Sequence, residues 1–249
     1  MELLARLPEA LARLDALPHA DRAAVRDVLA TLTSGMTFDL TTFPGEDAAH
    51  VTALATPADL DHYTYLVAGC VGEFWTSMHL AHRRRLARWN VGRMQSEGVR
   101  FGKALQMTNV LRDIPRDLRH GRCYVPASEL AAHGLAAADL LDASTMPKFR
   151  PLLAALLAIA AQHYEAAWRY TFEIPRPEWR MRVACAWPLL IGEATLAALG
   201  HHPNPLASAE PVKISRAAVR AIVARSSVAV WSNRALAAEA ARVRGAAAG

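Results

Sequence analysis

Residues 101–122 read FGKALQMTNVLRDIPRDLRHGR, and the way this stretch coils decides the fold. Placed on a helix at roughly 100° per residue, Gln106, Asn109, Asp113 and Asp117 share an arc of about 80°. Leu105, Val110, Leu111 and Ile114 fall mostly elsewhere. A stripe of amides and acids on an otherwise buried helix is costly unless something satisfies it. Two carboxylates one turn apart also repel each other unless a cation lies between them. Mg²⁺ takes carboxylate oxygens and shares phosphate oxygens with a substrate, so this DxxxD reads as a clamp for Mg²⁺ and a diphosphate. Arg112, Arg116, Arg119 and Arg122 stand ready to neutralise further phosphate charge. By spacing alone the same residues also suit a solvent-facing helix laced with Asp–Arg pairs. Pro115 removes a backbone donor and predicts a kink that re-aims Asp117.

Outward from this stretch, almost every patterned segment keeps the helical period. Expected helices cover 3–17 (broken by Pro8), 21–40, 57–88, 92–119, 146–172, 178–199 and 215–242. Pro57 in the first turn and the Arg83-Arg84-Arg85 run at the far end suggest one long helix between them. Residues 41–56 read as a loop and 124–140 as irregular chain. No alternation long enough for a sheet is present, and no linker divides the sequence. The expectation is a single all-α domain over 1–249, with seven or eight helices round a central space.

Hydrophobic residues make up 53% of the 249 positions, enough for a sizeable core, so wholesale disorder is excluded. The net charge of +5 gathers around 82–85, 112–122 and 216–225. No aromatics interleave with these arginines, which argues against nucleic acid and for a small polyanion. Cys70, Cys123 and Cys185 are far apart and odd in number, which fits a reducing, cytoplasmic compartment rather than a disulfide framework. The apolar runs 151–161 and 183–192 are too short for a membrane span, although such helices could rest on the cytoplasmic face of a bilayer. Phe74, Trp75, Trp168 and Trp187 read as core anchors. His62, His79, His82 and His120 show no zinc spacing.

The run QMTNVLRDIPRDLRHGRCYVP from Gln106 resembles the second aspartate-rich motif of squalene and phytoene synthases. YTYLVAGCVG from Tyr63 and LTSGMTFDL from Leu32 resemble two further helices of that family. CAWPLLIGEATLAAL from Cys185 and VKISR from Val212 are similar to the squalene synthase branch, although Ser215 replaces a basic residue there. The resemblance implies the α-helical isoprenoid synthase fold and head-to-head joining of two farnesyl diphosphates through presqualene diphosphate to squalene, with NADPH as reductant. It implies Asp113 and Asp117 as Mg²⁺ ligands, with Gln106, Asn109, Arg112 and Arg122 on the prenyl diphosphate. It implies Tyr63 as the proton-transfer residue, and Lys213 and Arg216 as contacts to NADPH or phosphate. A phytoene, dehydrosqualene or presqualene diphosphate synthase without NADPH is the enzymatic alternative, and a non-catalytic prenyl-diphosphate-binding or assembly subunit is the other.

The family carries a first aspartate-rich motif upstream of its Gly-Met helix. Only 34 residues precede Gly35, and Asp15, Asp21 and Asp27 among them form no DxxxD. The expectation is therefore an N-terminally shortened fold, weakly active by itself.

Overall fold

The computed structural model describes residues 5–208 and 210–245, so Leu3, where the first helix is expected to begin, lies outside the described residues. Helix α1 (Leu7–Asp15) carries Pro8 in its first turn, where a missing N–H costs nothing, so Pro8 opens the helix instead of breaking it. Helix α2 (His19–Thr42) follows and buries only Gly35, whose position would bring a Cβ within 2.9 Å of Val67.

The long helix expected from 57 to 88 is divided. Helix α3 (Pro57–Thr64) opens with a reciprocal cap: Asp59 N–H donates to Thr56 Oγ1 (3.3 Å), and Thr56 N–H donates to Asp59 Oδ2 (2.8 Å). A π-helical turn then spans Tyr65–Gly69 before helix α4 (Cys70–His82). The triple arginine falls beyond α4, because Leu86, with no exposed surface, draws the chain back inward.

Helix α5 (Val91–Arg112) starts where Asn90 Oδ1 accepts from Arg93 N–H (3.0 Å). It stops at Asp113, and helix α6 (Ile114–Arg119) continues after the break. The expected single helix over 92–119 is thus interrupted where Pro115 denies a donor to the preceding turn. Gly121, at φ +75°, turns the chain into a two-residue strand β2 (Arg122–Cys123). Strand β2 pairs in parallel with β1 (Thr52–Ala53), in register Thr52 with Arg122.

Helix α7 (Ala127–Ala132) is short. Helix α8 (Met146–Glu173) buries Phe149, Leu152, Leu156, Ala160, Tyr164, Ala167 and Thr171 at three- and four-residue steps and packs along α5. Helix α9 (Trp179–His201) is buried on several sides. It belongs to a segment, 176–201, long and apolar enough by composition to cross a membrane, which corrects the shorter runs read from the sequence; 56% of its most apolar window is buried against the other helices.

The C-terminal segment forms two helices, α10 (Arg216–Ala229) and α11 (Asn233–Gly245), in place of the expected one. The break coincides with Arg182, which is 1% exposed. Its guanidinium donates to the carbonyls of Val230 (2.7 Å) and Ile174 (2.7 Å) and to Asn233 Oδ1 (2.6 Å). A carbonyl turned toward this cation is one the helix has given up. The main core runs through α3, α5, α8, α9, α10 and α11.

Candidate active site

The polar stripe of α5 survives folding. Gln106 and Asn109 line one end of an apolar chamber of about 400 Å³, in the size range of small-molecule sites. Its walls come from Val67, Ala68 and Val71 on one side and Phe101 and Leu105 on the other, and Tyr170, Cys185 and Pro188 also border it. Asp113 follows Asn109 by one turn, and its N–H donates to the Asn109 carbonyl (2.9 Å). Backbone pairing resumes across the break, with Asp117 N–H donating to the Asp113 carbonyl (2.9 Å). The aspartates are absent from the chamber lining and stand one and two turns past Asn109.

Asp113 is held by Arg112 in a two-pronged pair, with N–O distances of 2.8 and 2.6 Å. Asp117 has no ion pair among the described residues. Burial, with the Asp113 charge beside it, pushes its carboxyl up to about 6. A site where burial and a neighbouring carboxylate together make one acid resist ionisation is electrostatically suited to a divalent cation, and Asp113, Asp117, Asn109 and Gln106 offer the hard oxygen donors Mg²⁺ takes. Among the described residues no cluster of three or more His, Cys, Asp or Glu could hold a metal unaided. Any cation here would draw its remaining ligands from water or a substrate phosphate.

Tyr63, at the end of α3, is 7% exposed and stacks on Tyr124 with ring centroids 4.7 Å apart. Burial raises its pKa, and the charges of Asp39 and Asp117 add to this against polar contacts from Tyr124 and Gln106. Tyr63 is therefore a neutral phenol at neutral pH, able to donate a proton. Tyr124 Oη donates to Asp39 Oδ1 at 2.5 Å, and Arg122 Nε lies 3.2 Å from Asp39 Oδ2. The two-residue β pairing positions Arg122 and Tyr124 beside the end of α2. Tyr63, Gln106, Asp117 and Arg122, widely separated in sequence, thus belong to one connected polar cluster.

A sequence profile described as squalene/phytoene synthase matches residues 2–218. The chain belongs to that family. Among curated squalene/phytoene synthase relatives, the phytoene synthase of Thermus thermophilus is 37% identical over 103 residues, which are 41% of this chain and 32% of that protein. The bifunctional lycopene cyclase/phytoene synthase of Colletotrichum graminicola is 31% identical over 165 residues, 64% of this chain and 26% of the other. In fold, TcSQS in complex with the ligand BPH1237 superposes with a TM-score of 0.78 at 22% identity, over 97% of this chain and 66% of its own. The squalene synthase HpnC of Alicyclobacillus acidocaldarius gives 0.58 at 24% identity, over 79% of this chain and 65% of its own. The chain therefore spans less than two thirds of the length of each of these proteins.

Two residues predicted for a squalene-type synthase do not join the cluster. Lys213 and Arg216 are exposed at the start of α10 and make no hydrogen bond or ion pair among the described residues. Two members of the cluster, Asp39 and Tyr124, carry no predicted role, although both stand inside the family-like runs GMTFDL and RCYVP. Trp75, predicted as a core anchor, lines the chamber. Trp168, at 5% exposure, does sit in the core.

Asp117 makes stability depend on pH. Its carboxyl titrates near 3.8 when unfolded and near 6 when folded. Between those values the folded state holds the extra proton, so stability falls as pH rises through the window. Above it the full penalty of a buried charge remains. In chelator, Asp117→Asn is expected to melt above wild type at pH about 7.5, with the difference vanishing at pH about 3.5. Equal melting temperatures at both values would contradict the assignment.

Proposed function

We propose that this chain carries out the head-to-head joining of two prenyl diphosphates. In that reaction the C–O bond of one diphosphate breaks, its C1 bonds to the double bond of the other, and a proton and inorganic diphosphate leave as a cyclopropylmethyl diphosphate forms. The observation that carries the reading is the juxtaposition of an amide-and-carboxylate edge, Gln106 to Asp117, with an apolar chamber. Asp113 and Asp117 would hold Mg²⁺, which when bound neutralises charge on the leaving diphosphate. Gln106 and Asn109 orient the diphosphate, and Arg112 and Arg122 add positive charge beside it. Tyr63 donates its Oη proton toward the departing group, with Tyr124 and Asp39 fixing its orientation. The apolar walls keep water from a carbocation that it would quench.

The product side divides into two readings. The curated relatives named above are phytoene synthases, and Lys213 and Arg216 lie apart from the cluster, which favours a reaction without NADPH. The likeness of the 185–199 and 212–216 runs to squalene synthases favours a reductive step to squalene. Incubation with farnesyl or geranylgeranyl diphosphate and Mg²⁺, with and without NADPH, separates them. The expected result is a condensed product whose amount and identity NADPH does not change. Squalene appearing only with NADPH would establish the second reading, and absence of any condensed product would remove both.

A further inference from the structure

Two exposed tryptophans meet on the surface. Trp179, at the first residue of α9, is 40% exposed, and Trp231, between α10 and α11, is 51% exposed. Their ring centroids are 6.2 Å apart. Val228, three residues before Trp231, is 77% exposed. The chain carrying Trp231 is fixed, since the buried Arg182 donates to the Val230 carbonyl on one side of it and to Asn233 Oδ1 on the other.

Positive charge gathers beside Trp179. The Arg180 guanidinium lies 5.1 Å from the centre of the Trp179 indole. Arg83 and Arg85 share the single carboxylate of Glu178, at 3.7 and 3.2 Å, which leaves a cation in excess. These three arginines and Trp179 border a second cavity of about 310 Å³. It shares Trp75 and Ala184 with the apolar chamber, so the two cavities adjoin.

Exposed indole rings with arginines beside them match the chemistry of a bilayer interface, where the ring sits at headgroup depth and guanidinium groups meet anionic lipid. We propose that the Trp179–Trp231 face docks on an anionic lipid bilayer. If the chamber holds prenyl chains as proposed above, docking there gives a water-insoluble product an apolar route that avoids bulk water.

Sedimentation of the full chain with vesicles of phosphatidylcholine, alone or mixed with phosphatidylglycerol, tests the docking without any turnover, so it stands or falls apart from the catalytic reading. The expected result is binding to the anionic vesicles that salt weakens. Trp179→Ser with Trp231→Ser should lower it about tenfold. Arg180→Glu, which keeps both indoles, should also lower it about tenfold. Circular dichroism checks that each variant is folded. No binding, equal binding to neutral vesicles, or full binding by the folded Arg180→Glu and double-Ser variants would overturn the proposal.

Discussion

Asp113→Ala and Asp117→Asn are each expected to abolish Mg²⁺-dependent binding of inorganic diphosphate, by about a hundredfold or more in titration calorimetry. Removing even an outer partner of a metal site typically costs about 10–100-fold, and these carboxylates would be direct ligands. The two variants fail for different reasons. Asp113→Ala also strips Arg112 of its two-pronged partner. The freed guanidinium can still attract diphosphate, so some binding independent of Mg²⁺ should persist. Asp117→Asn keeps the shape and removes the charge that burial resists, so the protein should be more stable at neutral pH while its metal dependence is lost. Lys213→Ala, exposed and unpartnered among the described residues, serves as the comparison and should bind as wild type does. Undiminished Mg²⁺-dependent binding in both aspartate variants would place the diphosphate elsewhere.

Gly102→Ala is expected to destabilise the fold by about 3 kcal/mol, the upper part of the usual overpacking range. A Cβ there would lie 2.1 Å from the Ala68 carbonyl oxygen and 2.6 Å from its carbon, which are backbone atoms that no rotamer change can move aside. Gly72 faces Gly98 in the same way, with a Cβ 1.8 Å from the Gly98 oxygen. The π turn and α4 thus lie backbone to backbone against α5, and the chamber is lined on both sides of this seam. For a chain of this size such a loss lowers the melting temperature by roughly 6–12 °C. Gly92→Ala, in the first turn of the same helix, meets only Asn90 Oδ1 at 4.0 Å and should raise stability slightly, because alanine suits a helix better than glycine. Equal melting temperatures for the two variants would show that α5 can shift to accept the methyl group.

Much of this was legible in the sequence, because the relevant signals are local. The helical period of 146–172 and the stripe from Gln106 to Asp117 need only residues a turn or two apart. The break at Pro115 follows from one missing donor. The all-α fold and the family likeness of the 32–40, 63–72 and 106–126 runs are upheld by the superpositions and the profile match. What was not legible depends on distant partners. The division of 215–242 needs Arg182, some fifty residues away, to claim the Val230 carbonyl. The π turn at Tyr65–Gly69 accompanies a glycine contact with α5 that no window around Tyr65 contains. Asp39 gains a role only once the β1–β2 pairing brings Tyr124 to the end of α2.

The placement of Arg182 has a consequence for how the molecule comes apart. Every partner of its guanidinium is a neutral oxygen, contributed by the end of α8 and by residues 230 and 233. Burial pulls its pKa down, yet the group remains a cation. Peeling residues 230–245 from the rest would strand a positive charge in a greasy interior with two of its four ligating oxygens gone. The junction of α10 and α11 at residues 230–233 is therefore held even when the turns of α11 beyond it open. Opening of that junction is expected to require opening of the α8–α9 corner with it, so the amides around 230–233 should exchange hydrogen more slowly than those nearer residue 245.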